Sequence, residues 1–236
     1  MKAFTYKELW AISDIHGYYD HLVKLLQKIG VLDADANLIE QTDVKVVFVG
    51  DYIDRGAKPL ETLLLVKELV AHGIAKAVMG NHDSWYYRKL KGADIMMNHE
   101  REETLARIKS SELYWIIPNI EDELLEFLEN LPLHLTIDGI NFAHAYYSKS
   151  STLKEKKNQR HMMYGPTTGK NLDNGYPERV AWYETYDGRH GRVVFGHYSL
   201  TNEISEFPHC VSVDCGVFKT GVLGAIELVS GRKEYV

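Results

Sequence analysis

Along the first third of the chain, apolar residues switch between short continuous runs and a helical period. Trp10 to Ile15 is a short apolar run ending in Asp14-Ile15-His16-Gly17. Leu22, Leu25, Leu26 and Ile29 then recur at helical spacing, with Gly30 as a stop. Lys45 to Val49 is β-branched and aromatic, the signature of a buried strand, and runs into Gly50. Leu63, Leu64, Val66 and Val70 mark a second helix that stops at Gly73, and Ala75 to Met79 a third strand that ends in Gly80-Asn81-His82-Asp83. This βαβαβ order predicts parallel strands covered by helices.

From Ser84 to Asn130 the pattern predicts helices alone, over Trp85 to Leu90, Glu100 to Trp115 and Glu121 to Leu131. We read about 84–130 as a helical insert or cap within one domain spanning 1–236, and the acidic side of its last helix as a solvated face. Beyond Pro132 strands return. Leu135 to Phe142 reads as a hairpin turning at Asp138-Gly139, Arg192 to Phe195 as a strand ending in Gly196-His197-Tyr198, and His209 to Asp214 as a weak strand. Val222 to Leu228 and Lys233 to Val236 read as a last hairpin, so the C-terminal half predicts a second sheet packed on the first.

Composition narrows the function. The 236 residues suit one well-packed domain, and 45% hydrophobic with 25% charged is an ordinary globular mixture. With 27 Lys plus Arg against 33 Asp plus Glu, the formal charge of -6 argues against a broad basic surface for duplex nucleic acid. The two cysteines, Cys210 and Cys215, cannot build a disulfide scaffold, which points to a reducing, cytoplasmic compartment. No apolar run predicts a membrane span, and MKAFTYKELWAISDIHG has no sustained apolar segment of the signal-peptide kind. The expected partner is a small phosphorylated molecule or a phosphoprotein.

The chemistry gathers at strand ends. Ser13-Asp-Ile-His-Gly17, Gly50-Asp-Tyr-Ile-Asp-Arg-Gly56 and Gly80-Asn-His-Asp83 each follow an apolar strand, and Ala143-His-Ala145 and Gly196-His-Tyr198 repeat the theme. The carboxyl edge of a parallel sheet is where sites form, so Asp14, His16, Asp51, Asn81, His144 and His197 are expected to converge. A structural protein has no use for groups so costly to desolvate at the ends of buried strands. Carboxylates, imidazoles and an amide without thiolate suit Mn, Fe, Zn, Co or Ni. These six side chains exceed one closed tetrahedral zinc site and match two divalent metals sharing a carboxylate. Arg55 is a bidentate donor for phosphate oxygens. His82, beside Asn81, is free to donate a proton, with Asp54 fixing its tautomer. The other histidines have no comparable setting and read as surface or core residues. No G-x-G-x-x-G, Walker or G-x-S-x-G sequence is present.

These segments resemble the calcineurin-like metallophosphoesterase superfamily, in the form of PPP-type phosphatases, through SDIHG, GDYIDRG, GNHD, FAHA and GHY in that order. The resemblance implies an α/β fold of two mixed β-sheets packed together and flanked by helices, in four layers. It implies that Asp14, His16 and Asp51 hold one metal, and Asp51, Asn81, His144 and His197 the other, Mn²⁺ being the first choice. A narrower likeness covers Tyr164-Gly-Pro-Thr-Thr-Gly-Lys-Asn-Leu-Asp-Asn-Gly-Tyr-Pro-Glu-Arg179 and Val213-Asp-Cys-Gly-Val-Phe218. It is similar to the bacterial PrpE-type enzymes, taken here as symmetrical diadenosine tetraphosphate hydrolases, and to the phosphatase module of bacterial polynucleotide kinase-phosphatase. It makes Arg179 a second phosphate-gripping arginine. Ser13, Tyr146 and Cys215 depart from the pattern, and the first two bear on substrate fit.

The expected reaction is hydrolysis of a phosphate ester or anhydride by in-line attack of water activated by the metals. Arg55 and Arg179 stabilise the transferring group, and His82, oriented by Asp54, protonates the leaving oxygen. The substrate expected first is diadenosine tetraphosphate cleaved to two ADP. The alternatives are a serine/threonine phosphoprotein, a nucleic-acid end or nucleotide, and a metal-stabilised binding module without turnover. Trp85, Tyr86, Tyr87 and Tyr146 are candidate aromatic faces for bases, and Lys149, Lys154, Lys156, Lys157 and Arg160 a candidate basic rim.

Overall fold

The structure, a computed structural model, describes residues 5–147, 156–173 and 175–236. It begins with β1 (Glu8–Ile12), α1 (Tyr19–Lys28), β2 (Val44–Phe48), α2 (Pro59–Ala71) and β3 (Ala75–Ala77), in the order the apolar pattern predicts. β1 and β2 are parallel with Trp10 opposite Val46, and β2 and β3 are parallel with Val47 opposite Lys76. Strand periodicity then sorts the side chains. Trp10, Ile12, Val46 and Phe48 face the core under α1 and α2, while Leu9, Ala11, Val47 and Val49 face the opposite way. Burial on both faces explains why these strands are apolar throughout rather than alternating.

The insert consists of α3 (Asn81–Leu90), α4 (His99–Ser110), α5 (Glu112–Ile116) and α6 (Ile120–Glu129). The single helix expected over Glu100 to Trp115 is broken at Ser111, whose backbone is extended (ψ 135°) and whose hydroxyl donates to Glu61 Oε1 at 2.6 Å. Ser111 stands between the two helices with its hydroxyl spent on Glu61 rather than on a backbone group. Trp85, Tyr86, Ile108, Ile120, Leu124 and Leu128 join the core that α2 covers, so these helices are built into the body of the fold. Glu121 and Asp122 in the first turn of α6 are exposed, as expected of a solvated acidic face.

Next come β4 (His134–Ile137) and β5 (Ile140–Ala143), joined at Asp138 and Gly139 with φ of 48° and 81°, the left-handed pair a tight hairpin requires. α7 (Lys156–Tyr164), β6 (Thr167–Asn171), β7 (Pro177–Arg179), α8 (Trp182–Thr185), β8 (Val193–Phe195), β9 (Ser205–Glu206), β10 (Cys210–Ser212), α9 (Val217–Thr220), β11 (Gly224–Glu227) and β12 (Lys233–Tyr235) complete the chain. The second sheet has the order β4-β5-β8-β10-β9, with β5, β8 and β10 mutually parallel. Phe142, Val194, Val211 and Val213 meet Leu9, Ala11, Val47 and Val49 between the sheets, and Trp182, Tyr183 and Phe195 form an aromatic layer on the outer face. The layering is helix, sheet, sheet, then the outer layer that holds α8. Among the described residues no helix is long and apolar enough to cross a membrane.

The last hairpin corrects one expectation. It belongs to the first sheet, whose order is β12-β11-β1-β2-β3, with Ala11 opposite Ile226 in an antiparallel pair. One buried carboxylate ties it there. Glu227 accepts from Leu9 N on β1 at 3.2 Å and from Val229 N and Ser230 N in the hairpin turn at 3.2 and 2.5 Å. Replacing Glu227 with Leu strands these backbone donors in a buried setting and is expected to cost about 2–3 kcal/mol of stability, with Glu227→Gln milder. Urea denaturation at fixed metal content measures this; an unchanged midpoint for both variants would show that β-pairing alone seats the hairpin.

Candidate active site

The ladder between β1 and β2 continues into the loops that follow them. Val49 N donates to Ile12 O at 2.8 Å, Asp14 N to Gly50 O at 3.1 Å, His16 N to Asp51 O at 2.9 Å and Gly17 N to Tyr52 O at 2.8 Å. In the second sheet Gly196 N donates to His144 O at 2.8 Å. The carboxyl ends of both sheets thus meet at one edge. The backbone there is strained: Asp14, His16, Asp51, Asp54, Arg55 and His197 have φ between 47° and 73°. Left-handed backbone costs a non-glycine residue on the order of 1–3 kcal/mol, and here it falls on residues predicted from chemistry. Gly80 permits a close approach, since a Cβ there would collide with the backbone N and carboxylate of Asp51.

Asp51 is the hub. It is 1% exposed, and its Oδ2 lies 3.2 Å from His144 Nε2, 3.8 Å from His16 Nε2 and 3.9 Å from His82 Nε2. Backbone carbonyls orient two of these rings: His16 Nδ1 donates to Ile53 O at 2.9 Å and His144 Nδ1 to Val49 O at 2.8 Å. Each then turns the lone pair of Nε2 inward. His144 Nε2 is also 3.1 Å from His197 Nδ1 and 3.0 Å from the Asn81 amide. Lone pairs aimed at one another and at a carboxylate repel unless a cation lies among them, so this donor set fits divalent metal. His16, Asp51 and His82 form one cluster, Asp51, His144 and His197 another, and Asp54, His82 and Glu100 a third in which the His82 ring bonds Asp54, with the ligand atoms of each within 4.8 Å of one another. Two clusters sharing one carboxylate mark a dimetal site.

The electrostatics agree at His16, His197 and Asp51. Burial, then His82 and Arg55, pushes His16 down to about 3, which keeps it neutral as a ligand must be. Burial and His144 likewise hold His197 well below the usual range. Burial opposes ionisation of Asp51, but the surrounding imidazoles, His144 first, override it and hold the carboxyl far down. At His144 burial is overridden in turn by the carboxylates of Asp51 and Asp14, which raise it to about 10. Asp14, pushed up by burial and by Asp214, lines the cavity while its Oδ2 accepts from His197 N at 2.9 Å and from the Ser13 hydroxyl.

Beside this hub, the His82 ring donates through Nδ1 to Asp54, whose Oδ2 also accepts from Trp85 Nε1 at 2.7 Å. Burial lowers the basicity of His82, but Asp51 and Asp54 outweigh it and the net shift is upward. The Arg55 guanidinium lies 3.6 Å over the Phe218 ring, with Nη2 3.5 Å from His82 Nε2. Arg179 comes from the other side, donating to Tyr164 O and touching His197 Nε2. All ten predicted site residues except Asp54 and His144, which sit just behind, line one cavity of about 720 Å³. Arg160 and Lys219 add positive charge to its wall.

Other expectations change. Trp85 and Tyr86 are 4% and 1% exposed core residues, Tyr87 packs against that core, and Tyr146 stacks edge-on against Trp182 beside a separate cavity. The aromatic groups lining the active cavity are Tyr164, Tyr176 and Phe218. Lys149 and Lys154 lie outside the described residues. Ser13 is accommodated without left-handed backbone, its hydroxyl on Asp14, and Cys215 is buried. His161, read as a surface or core residue, lines the cavity. Three acids were missed. Asp83 accepts from Asp51 N, Tyr52 N and Gly80 N at 2.8–2.9 Å, and burial followed by Asp51 raises it to about 7. Asp214, raised by burial, lines the cavity at the end of β10; an acid directly after an apolar strand was the signal for it. Glu100 reaches Arg55 from the insert, at 3.0 Å.

The family profile of calcineurin-like phosphoesterases matches residues 8–215. A Bacillus velezensis protein named bis(5'-nucleosyl)-tetraphosphatase PrpE [asymmetrical] is 32% identical over 79% of this chain and 75% of its own length. One of the same name from Oceanobacillus iheyensis is 31% identical over 87% of this chain and 82% of its own. Those names overturn the likeness to a symmetrical hydrolase and, with it, the expected cleavage to two ADP. A serine/threonine phosphatase from Saccharomyces cerevisiae has the same fold, with a TM-score of 0.66 and 17% identity over 97% of this chain and 79% of its own. With profile, relatives and two sheets meeting at a carboxylate-bridged imidazole cluster in agreement, the chain belongs to the calcineurin-like phosphoesterase family and is a metal-dependent phosphohydrolase.

Proposed function

We propose that this enzyme cleaves a dinucleoside tetraphosphate asymmetrically, releasing a nucleoside monophosphate and a nucleoside triphosphate. The observation that carries the reading is one cavity of about 720 Å³ in which the Asp51 hub, the His82 imidazole and the basic groups Arg55, Arg160, Arg179 and Lys219 are all exposed to the same ligand. Four cationic side chains suit a chain of several phosphates better than a single monoester. The printed names of the Bacillus and Oceanobacillus relatives support the asymmetrical product pattern.

In this reading Asp14, His16 and Asp51 hold one divalent ion and Asp51, Asn81, His144 and His197 the other, Mn²⁺ being the proposed metal for an oxygen and imidazole set. Bound there, the two ions supply Lewis acidity toward the phosphoryl oxygens and lower the pKa of the attacking water. Arg55 presents its Nη edge to the phosphoryl oxygens and Arg179 closes on them from the opposite wall. Water oxygen bonds to phosphorus and yields one proton to solvent as the bridge between the first and second phosphates breaks. The oxygen kept by the departing nucleotide takes a proton from His82 Nε2, while Asp54 steadies the ring through Nδ1. No side-chain nucleophile takes part.

Metal analysis of loaded protein should find about two ions per chain, and Asp51→Asn should lose most of both because it removes charge from each cluster. A single tightly held ion in the unmodified protein would sink the two-metal assignment.

His82→Asn should retain the metal content of the parent and slow the tetraphosphate on the order of 10²–10⁴-fold. The loss should be much smaller for p-nitrophenyl phosphate, whose leaving group needs little protonation. Equal losses on both substrates would reject the proton-donor role.

The substrate itself is tested with Mn²⁺ and diadenosine tetraphosphate beside a phosphoserine peptide and a 3'-phosphorylated oligonucleotide. AMP and ATP in equal amounts are expected, with kcat/KM at least about tenfold above the other two, a margin of about 1.4 kcal/mol in transition-state stabilisation. Two ADP, or faster peptide dephosphorylation, overturns the assignment and leaves the phosphohydrolase standing.

A further inference from the structure

A helical cap need take no part in the chemistry. One face of α4 says otherwise. Glu100, Thr104 and Arg107 fall at helical spacing on that face and all three touch the loop that carries Asp54 and Arg55. Thr104 is fully buried, and its hydroxyl donates to Asp54 Oδ1 at 2.5 Å. The same hydroxyl lies 3.0 Å from Glu100 O, the usual partner of a helical threonine, but it has one proton and the carboxylate is the stronger acceptor. Asp54 thereby receives three donors, Thr104, Trp85 Nε1 and His82 Nδ1, which leaves its carboxylate one orientation. Glu100 accepts from Arg55 Nε at 3.0 Å, while Phe218 stacks beneath the plane at 3.6 Å. Arg107 donates to Arg55 O at 2.8 Å and Gly56 O at 3.2 Å, across the stretch where Asp54 and Arg55 hold φ of 73° and 66°. The start of the helix is itself fixed, since the Asn98 side chain accepts from Arg101 N at 3.0 Å.

We propose that α4 sets the geometry of the reaction centre, with Thr104 as the positioning residue for the Asp54–His82 pair and Glu100 as the positioning residue for Arg55. A side chain that merely filled space would not need a hydroxyl aimed at a carboxylate already bonded to the proton donor. An acid that merely repelled phosphate would not bond the Nε of a guanidinium that lines the cavity. The inference rests on the proton-donor and phosphate-clamp roles proposed above, and it separates them. Thr104 acts on the step that protonates the leaving group, whereas Glu100 acts on the grip that binds phosphate.

The test uses the full chain loaded with Mn²⁺, with diadenosine tetraphosphate and p-nitrophenyl phosphate as substrates and metal content and denaturation midpoint as controls. Thr104→Val should lower kcat on the tetraphosphate about tenfold, with a much smaller effect on p-nitrophenyl phosphate, and Thr104→Ser, which restores the hydroxyl, should recover most of the loss. In a His82→Asn background Thr104→Val should add little. Glu100→Ala should raise KM about tenfold for both substrates with kcat largely kept, and Glu100→Gln, which retains an acceptor for Nε, should fall between. If His82→Asn discriminates between leaving groups but Thr104→Val does not, or if the two losses multiply, Thr104 is structural and its role is overturned. A flat His82→Asn profile removes the proton-donor reading and the Thr104 role with it. An unchanged KM in Glu100→Ala overturns the second half.

Discussion

Everything at the reactive edge is organised around one buried anion. Asp51 is 1% exposed and faces three imidazoles, an arrangement that water would normally dissolve. Its own backbone N is held by Asp83, its Oδ1 accepts from His82 N at 2.9 Å, and the neighbouring loop is stitched to it through His16 N. Left-handed backbone at Asp14, His16, Asp51 and His197 is the conformational cost of aiming so many donors at one point. That cost is offset by the two hydrophobic layers beneath, where β1 and β2 are buried on both faces and leave their carboxyl ends no freedom to part. A divalent pair held at the hub would balance the Asp51 charge, the same charge that raises His144.

Much of this was legible because it is local. A buried strand followed at once by Asp, His or Asn is visible in a few residues, and five such segments identified nine of the ten residues now found around one cavity, Arg179 coming from the narrower likeness instead. The first sheet's three parallel strands and covering helices were legible for the same reason: their apolar periods are continuous. What escaped notice is non-local or polar. Glu100 and Thr104 lie 45 or more residues from the loop they hold, on a helix whose polar face looks like any solvated one. The β6–β7 ribbon carries Thr-Thr-Gly-Lys-Asn, with no alternation to announce a strand, yet it brings Arg179 to the cavity. The seat of the last hairpin depends on Glu227 and on pairing with β1, more than two hundred residues earlier. Asp214 is different: its signal was present, an acid after an apolar strand, and was passed over.

The product pattern was misassigned for a related reason. Symmetrical and asymmetrical cleavage of a four-phosphate chain use the same water, the same metals and the same proton donor. They differ in which phosphate lies over Asp51, and that is set by where a nucleoside comes to rest. The aromatic residues first considered for that task, Trp85 and Tyr86, are core, and Trp85 spends its N–H on Asp54. The groups that do line the cavity, Tyr164, Tyr176 and Phe218, come from α7, the loop before β7 and α9. Chemistry is written at strand ends, whereas register along the substrate is written in connecting segments that have no periodic signal of their own.

The insert shows why the two cannot be separated cleanly. A helix whose apolar residue Ile108 packs into the core under α2 is not free to vary as a loop is. Because Thr104 and Arg107 on the same helix bond to Asp54 and to the carbonyls of Arg55 and Gly56, any repacking of that core is transmitted to Arg55 and to the His82 ring. Positioning within about half an ångström matters for transfer between fixed groups. The helix therefore couples stability to chemistry. Changes in the α4 core act on rate through Asp54 and Arg55.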